Sequence, residues 1–447
     1  TQSFPRTSIA RSSSIARRSY MPAPPTRSLI SPPRDLAATH PDPAMSSTTA
    51  TPRAATDLYQ AHDHYLMDEL LTDEHKLIRD TTRQHVSKHI KPIIEESFEK
   101  AEFHPEIIPG LAEIGAFGPN IPTEYGGMGL DQISYGLIMQ EIERVDSGLR
   151  SLCSVQGSLV MYPIWKYGNE EQRKKWLPKL AAGKIIGCFG LTEPDHGSNP
   201  GGMVTTFQDK GDHYLLNGAK MWISNSPIAD IAVVWAKAEN TEGRIHGLVV
   251  ERGMEGFTTP TTHGKLSLRA SPTGELVFDN VKVPKGNLLP NKSGLGAPLG
   301  CLDSARYGIS WGVIGVAMEC YDTALRYSKE RIQFGRPIGG FQLTQKKLAE
   351  MITEITKAQL LTWRLGVLKN ENRATTAQIS MAKRNNVQLA MNTAREARQI
   401  LGGMGITNEY PIMRHMMNLE SVVTYEGTQD IHLLITGQEV TGLAAFK

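Results

Sequence analysis

Near the end of the chain, residues 420–431 read ESVVTYEGTQDI. Glu426 stands between Tyr425 and Gly427, behind the apolar pair Val422 and Val423, in a stretch too apolar for a solvated tail. A glutamate drawn out of water carries a raised pKa and can take up a proton near neutral pH. A second charge in apolar company is Arg150, within EIERVDSGLRSLCSVQGSLVM (141–161), flanked by Gly148, Leu149, Leu152 and Cys153. It reads either as a helix arginine paired with Glu143 or Asp146, or as a cation that meets a ligand carboxylate. An unpaired buried guanidinium is costly, and a carboxylate is its natural bidentate partner.

Three loops add possible donors. FGLTEPDHGSNP (189–200) offers Thr192, Ser198, two glycines and backbone amides able to bond a carbonyl-rich ring or a phosphate, although the same residues are plain turn formers. MWISN (221–225) ends a strand with Trp222 and a hydroxyl, and Trp222 reads equally as core. In KERIQFGRP (329–337), Arg331 precedes a turn that must end a helix before Pro337; it reads as a phosphate clamp or, more often for such a site, as a solvated helix-end cation. No GxGxxG follows a strand and no GxxxxGK[ST] occurs, so neither a Rossmann nor a P-loop site is indicated.

Composition narrows the class. The 447 residues suffice for two or three domains, with hydrophobic residues at 40% and charged residues at 21%, as in globular enzymes. The net charge of +2 gives no reason to expect nucleic acid. The longest apolar run, YGISWGVIGVAMECY (307–321), carries Glu319 and reads as a buried helix, not a membrane span. Cys153, Cys188, Cys301 and Cys320 have no CxxC spacing and read as buried thiols. The thirteen histidines form no HExxH, so no metal is expected, and His415 and His432 read as surface or packing residues.

The elements that must position these residues fall into blocks. Residues 1–34 hold six arginines, no lysine and no acid, the composition of an organellar transit peptide; segment 1–56 is read as transit peptide and linker, with the mitochondrial matrix as destination. Residues 57–184 are helical in pattern: Thr72 is an expected N-cap with His75 at N3, and Leu77, Ile78, Val86 and Ile90 share a face. Residues 185–295 read as β, with the Asn217-Gly218 pair as a hairpin signal; such short strands suit a small barrel or sandwich. Residues 296–447 are helical again, with Leu348, Met351, Ile352 and Ile355 at bundle spacing. The class is α+β, mostly α.

Together these pieces resemble the acyl-CoA dehydrogenase family, from about residue 60 onward. CFGLTEPDHGS, NGAKMWISN, ERIQFGRPI, QILGGMGI and TYEGTQDI carry the resemblance, in that order and spacing. It implies an N-terminal helical domain, a middle β domain and a C-terminal four-helix bundle with FAD between them, in a homotetramer. It assigns Phe189, Gly190, Leu191 and Thr192, with Gly197 and Ser198, to the flavin ring, and Trp222, Ile223 and Ser224 to its other side. Arg331, Phe334, Gln342, Gln399, Gly402 and Gly403 would hold the rest of FAD across a subunit boundary, and Thr428 and Gln429 would also touch it. Asp303 and Arg306 match CoA-side contacts, with Ser198 and Gly427 beside the substrate. Glu426 falls on the base that removes the weakly acidic α-proton of an acyl thioester, while its own backbone N–H helps hold the enolate oxygen.

Around Arg150 the chain resembles the glutaryl-type members. There the matching arginine binds the distal carboxylate of the acyl group, with the residues matching Ser151, Ser154, Glu143 and Tyr425 nearby. The implied substrate is glutaryl-CoA, converted to crotonyl-CoA and CO2 in lysine and tryptophan breakdown, with electron-transfer flavoprotein as acceptor. Related short-chain acyl-CoA oxidases carry a small residue in place of the arginine, and non-decarboxylating relatives carry a similar arginine; these are the alternatives.

Overall fold

The computed structural model describes residues 63–239 and 243–446. Segment 1–56, with its expected transit and linker roles, lies outside the described residues.

The first block is helical because its caps and apolar stripes agree. Helix α1 (Asp73–His89) opens with the expected capping box: the Thr72 hydroxyl accepts the His75 N–H at 3.2 Å, and His75 Nδ1 accepts the Thr72 N–H. His75 Nε2 also lies 3.1 Å from Asp131. Val86 and Ile90 are buried as expected, but Leu77 is 67% exposed. The neighbours of α1 cover Thr82 and Val86 instead, so the stripe is narrower than periodicity alone implies. Helices α2 (Lys91–Lys100) and α3 (Ile108–Glu113) follow. Helix α4 (Gln132–Val145) is buried at every residue from Ile133 onward, charges included. It packs between α1 and later helices, and a sharp elbow at Asp146 leads into α5 (Ser147–Ser154). Asp146 caps α5 by accepting the Gly148 N–H at 2.7 Å. The chain then runs on as a π-helical stretch, Val155–Met161, before α6 (Tyr162–Tyr167) and α7 (Glu170–Ala181).

The middle block is one curled sheet. Its strands are β1 (Gly187–Gly190), β2 (Thr206–Asp209), β3 (His213–Ser224), β4 (Ile231–Ala238), β5 (Ile245–Glu251), β6 (Phe257–Thr258) and β7 (Thr273–Pro284). The hydrogen-bonded order is β1-β4-β2-β3-β7-β6, with β5 antiparallel to β4. The Asn217-Gly218 pair does not turn a hairpin: β3 runs straight through it, with a register shift against β7 between Leu216 and Gly218. Gly218 has φ +136°, and a Cβ there would lie 2.6 Å from the Thr205 hydroxyl. Glycine permits a bulge at this crowded crossing, and the Asn217 side chain donates to Asn280 Oδ1 at 3.3 Å and accepts the Asn280 backbone N–H at 2.8 Å across to β7.

The last block is built on α8 (Gly296–Glu330), a 35-residue helix. The short β8 (Ile332–Gln333) and β9 (Arg336–Pro337) pair at its end, before α9 (Gln342–Asn370), α10 (Thr376–Leu401), α11 (Ile412–Val422) and α12 (Gln429–Thr441). Helices α8, α9 and α10 pack together, and α10 also carries α11 and α12. The 307–321 run is indeed buried within α8, and the four cysteines are free and buried. Tyr307 and Trp311 reach from α8 into the core of the first block. A Cβ at Gly312 would sit 1.9 Å from the Glu143 carboxylate. The α4–α8 contact is therefore built around that acid. Among the described residues no helix is long and apolar enough to cross a membrane.

Candidate active site

The α4–α5 elbow carries two of the charges singled out above. Arg414 and Asn418 from α11 hold Asp146 at 3.1 and 2.7 Å, which fixes the elbow and aims α5. Arg150 and Glu143 are wholly buried, and Arg150 Nε donates to Glu143 Oε2 at 2.8 Å. Arg150 Nη2 donates to the Tyr425 hydroxyl, and its guanidinium carbon lies 5.5 Å from the Tyr425 ring centre. Thus α4, α5 and the segment after α11 meet at one guanidinium.

Polar atoms around this point lack partners. Arg150 Nη1, Glu143 Oε1, the Ser154 hydroxyl and Glu426 Oε2 are all buried without a hydrogen bond. Buried polar groups are nearly always satisfied, so a cluster of four such atoms is suited to receive a polar ligand. Burial drives the Glu143 carboxyl above its usual range, and Arg150 does not fully offset it. Ser151 is buried on the same helix. Tyr135 on α4 donates to or accepts from Ser158 at 2.8 Å in the adjoining wall.

Glu426 sits in a bent loop between α11 and α12. It has φ +52°, and Gly427 follows at +93°. A non-glycine residue in this region is held there by its surroundings. Lys383 of α10 donates to the carbonyls of Tyr425 at 2.5 Å and Gly427 at 2.7 Å. Arg306 of α8 donates to the Glu426 carbonyl at 2.8 Å and pairs with Asp303 at 3.0 Å. A Cβ on Gly427 would approach His432 Nε2 to 3.0 Å and Arg306 Nη2 to 3.3 Å. Desolvation raises the Glu426 pKa, while Arg150, Lys383 and Arg306 pull it back; the net direction is upward. That is the state a general base needs at neutral pH.

A second group faces the sheet. Phe189 and Leu191 turn their side chains into the core, Phe189 against Trp235 at 6.2 Å, so along this stretch it is backbone that can meet a ligand. A Cβ at Gly190 would crowd Leu276. Thr192 is half-buried and its carbonyl accepts the Met221 N–H at 2.9 Å; Gly197 and Ser198 are exposed. Trp222 has φ +61° beside a register shift in β3 and shows 58% of its surface, while Ile223 is buried and Ser224 half-buried. A bulge that presents an exposed indole beside free hydroxyls and amides suits a flat, carbonyl-bearing ring.

A third group lies at helix ends. Arg331 and Gln342 are exposed where α8 ends and α9 begins, and Phe334, between them, is 93% exposed with φ +51°. Gln399, which accepts a hydrogen bond from Lys347, and then Gly402 and Gly403 are exposed at the end of α10. Arg331 follows Arg306 along α8 by a run of about 37 Å at helical rise, so these residues do not join the Glu426 site within one chain. Thr428 caps α12 by accepting the Ile431 N–H at 3.3 Å, and Gln429 donates to the Arg384 carbonyl at 3.1 Å. His415 and His432 are buried, not at the surface. Among the described residues no cluster of three His, Cys, Asp or Glu could hold a metal.

Sequence reasoning passed over Lys383 and the Glu193–Lys220 pair. The signal for the first was present: Ile379, Ala382, Asn386, Val387 and Ala390 form the buried stripe of α10, and Lys383 lies within it. Lys220 likewise takes a buried position on β3.

The family models described as acyl-CoA dehydrogenase N-terminal, middle and C-terminal domain match residues 72–184, 188–281 and 292–441. Glutaryl-CoA dehydrogenase of Desulfococcus multivorans is 37% identical, over 84% of this chain and 99% of its own. The mitochondrial short-chain specific acyl-CoA dehydrogenase of Bos taurus is 35% identical, over 82% and 89%. Two structures of glutaryl-CoA dehydrogenase from Mycobacterium smegmatis, the second in complex with FADH2, align at TM-score 0.83 with 50% and 48% identity, over 85% of this chain and 97% of each of theirs.

Proposed function

The chain belongs to the acyl-CoA dehydrogenase family, and on that premise we propose that it converts glutaryl-CoA to crotonyl-CoA and CO2. The observation that carries the substrate choice is the unpartnered Nη1 of a wholly buried Arg150, which shares Tyr425 with the base loop. A thioester whose far end bears a carboxylate would satisfy that donor and the Ser154 hydroxyl together.

In this reading Arg150 and Ser154 fix the distal carboxylate and so place the α-carbon beside Glu426. Glu426 takes the α-proton, and backbone N–H groups of the bent loop hold the thioester oxygen as it gains charge. The 189–198 loop, Trp222 and the helix-end group would hold FAD, which when bound would supply the acceptor for the β-hydride and a route for electrons to an electron-transfer flavoprotein. The distal carboxylate then departs as CO2, its bonding pair forms a dienolate, and protonated Glu426 returns its proton to the carbon chain. The exposed helix-end group supports assembly as a homotetramer, in which another subunit would complete the cofactor site. The arginine-rich N-terminus supports a place in the mitochondrial matrix, and the substrate supports a role in lysine and tryptophan breakdown.

A second reading is a short-chain dehydrogenase without decarboxylation. Glu143 favours it, since at 2.8 Å that residue already pairs Arg150. Anaerobic bleaching of the bound flavin with a panel of acyl-CoAs, with CO2 trapped, separates the two. Fastest bleaching by glutaryl-CoA with stoichiometric CO2 supports the first reading. Fastest bleaching by butyryl-CoA without CO2 establishes the second.

A further inference from the structure

The base loop is held from behind by a residue outside the reaction. Lys383 is 1% exposed, and its ammonium reaches the carbonyls on both sides of Glu426, at 2.5 and 2.7 Å. Arg306 takes the carbonyl between them. Three successive carbonyls are thus pinned by two cations, from α10 and α8. In a planar trans peptide the N–H points opposite to the carbonyl of the same unit. With the Tyr425 carbonyl on Lys383, the Glu426 N–H faces away from α10. With the Glu426 carbonyl on Arg306, the Gly427 N–H faces away from α8. Glu426 and Gly427 both have positive φ values, a bent backbone that only its surroundings hold in place.

We propose that Lys383 is a positioning residue that clamps this loop, so that the Glu426 amide is set to receive the developing oxyanion while the Glu426 carboxylate is set to take the α-proton. The inference rests on the acyl-thioester reading, though not on glutaryl-CoA as the substrate. The groups that face Glu426 are Arg150 from α5, Tyr135 from α4, the neighbouring Tyr425, Arg306 from α8, Lys383 from α10 and His432 from α12, with Glu143 behind Arg150. Burial brings the Lys383 pKa down to about 7; below that it is one of three cations that favour the ionised base, so its removal also shifts the base's titration upward.

The test compares wild type with Lys383→Met and Lys383→Arg, using whichever acyl-CoA the wild type turns over fastest. Flavin content, melting temperature, kcat, KM and the pH profile of kcat/KM are measured. For Lys383→Met with flavin bound, kcat per flavin should fall on the order of 10²-fold, with KM little changed and the acid limb of the profile moved to higher pH. Lys383→Arg should return the acid limb to its wild-type place while kcat stays depressed, because the wider guanidinium cannot repeat both bonds. A purely structural lysine would lower melting temperature or flavin content yet leave kcat per bound flavin and the acid limb unchanged, and that result overturns the proposal. If the Met variant does not fold, wild-type kcat in Lys383→Arg overturns the proposal and a depressed kcat with an unmoved acid limb supports it. Failure of the thioester reading itself would appear separately, as a wild type that oxidises no acyl-CoA.

Discussion

Two buried ion pairs in this molecule have the same length and opposite characters. Lys220 and Glu193 meet at 2.8 Å with side chains 0% and 1% exposed; Arg150 and Glu143 meet at 2.8 Å with both at 0%. Glu193 is saturated: its oxygens also accept the Val204 and Thr205 N–H groups at 2.6 and 3.0 Å, and Lys220 donates to the Leu191 carbonyl as well. Burial raises its pKa, but the hydrogen bonds from Lys220, Thr205 and Val204 outweigh this and bring it to about 2. Glu143 is half-satisfied, its partner keeps a free nitrogen, and its pKa moves up. Ionic contact alone does not decide how a buried charge behaves; the remaining lone pairs and protons do. The first pair ties the 189–198 loop to the strand that presents Trp222. The second keeps its spare valences beside Tyr425 and the loop that carries Glu426.

The contrast can be broken at either end. The largest effect belongs to the proposed base beside the open pair: Glu426→Gln should keep the bound flavin spectrum and lose turnover by on the order of 10²–10⁴-fold, as read in steady-state assays. Next comes the closed pair. Glu193→Gln strands a buried lysine and should cost about 3–5 kcal/mol of unfolding free energy, as read by chemical denaturation. This pair has an acid signature too. Because folding lowers the Glu193 pKa from 4.5 to about 2, its stabilisation is complete above 4.5 and fades as pH falls through that window. The variant should lack this part of the wild-type loss. Neither change in stability should alter the preference between acyl-CoAs.

Smaller effects sharpen the open pair. Gly312→Ala places a methyl against Glu143 and should cost about 1–3 kcal/mol by overpacking, with a weaker preference for a dicarboxylic substrate; an unchanged melting temperature would contradict the tight α4–α8 contact. Ser154→Ala removes a hydroxyl with no partner, so stability should hold. Glutaryl-CoA should bind less tightly by about 1 kcal/mol, the usual worth of a hydrogen bond, as read by substrate-analogue titration.

Residues that contradict their own neighbourhood were legible in the sequence. Arg150 and Glu426 stand out as charges in apolar runs, and Thr72 with His75 announced the start of α1 through a purely local device. Readings failed where the deciding contact was remote. The Asn217-Gly218 pair looks like a turn until Thr205 and Asn280 are brought alongside. Leu77 fits the stripe of α1 but faces solvent, because what covers α1 is set by α4. Lys383 escaped notice because its partners are backbone carbonyls, which leave no letter in the sequence. The helix-end residues around Phe334 could be aligned with a cofactor only through the family resemblance, since one chain leaves them in solvent.

The most direct test of the open pair is the ratio of kcat/KM for glutaryl-CoA to that for butyryl-CoA, measured in wild type and in Arg150→Gln with released CO2 trapped. Wild type should prefer glutaryl-CoA. In the variant the ratio should fall on the order of 10²-fold, the worth of a charge-assisted bond of about 3 kcal/mol, with CO2 release lost in step. An equal loss on both substrates would make Arg150 a structural partner of Glu143 and contradict the account.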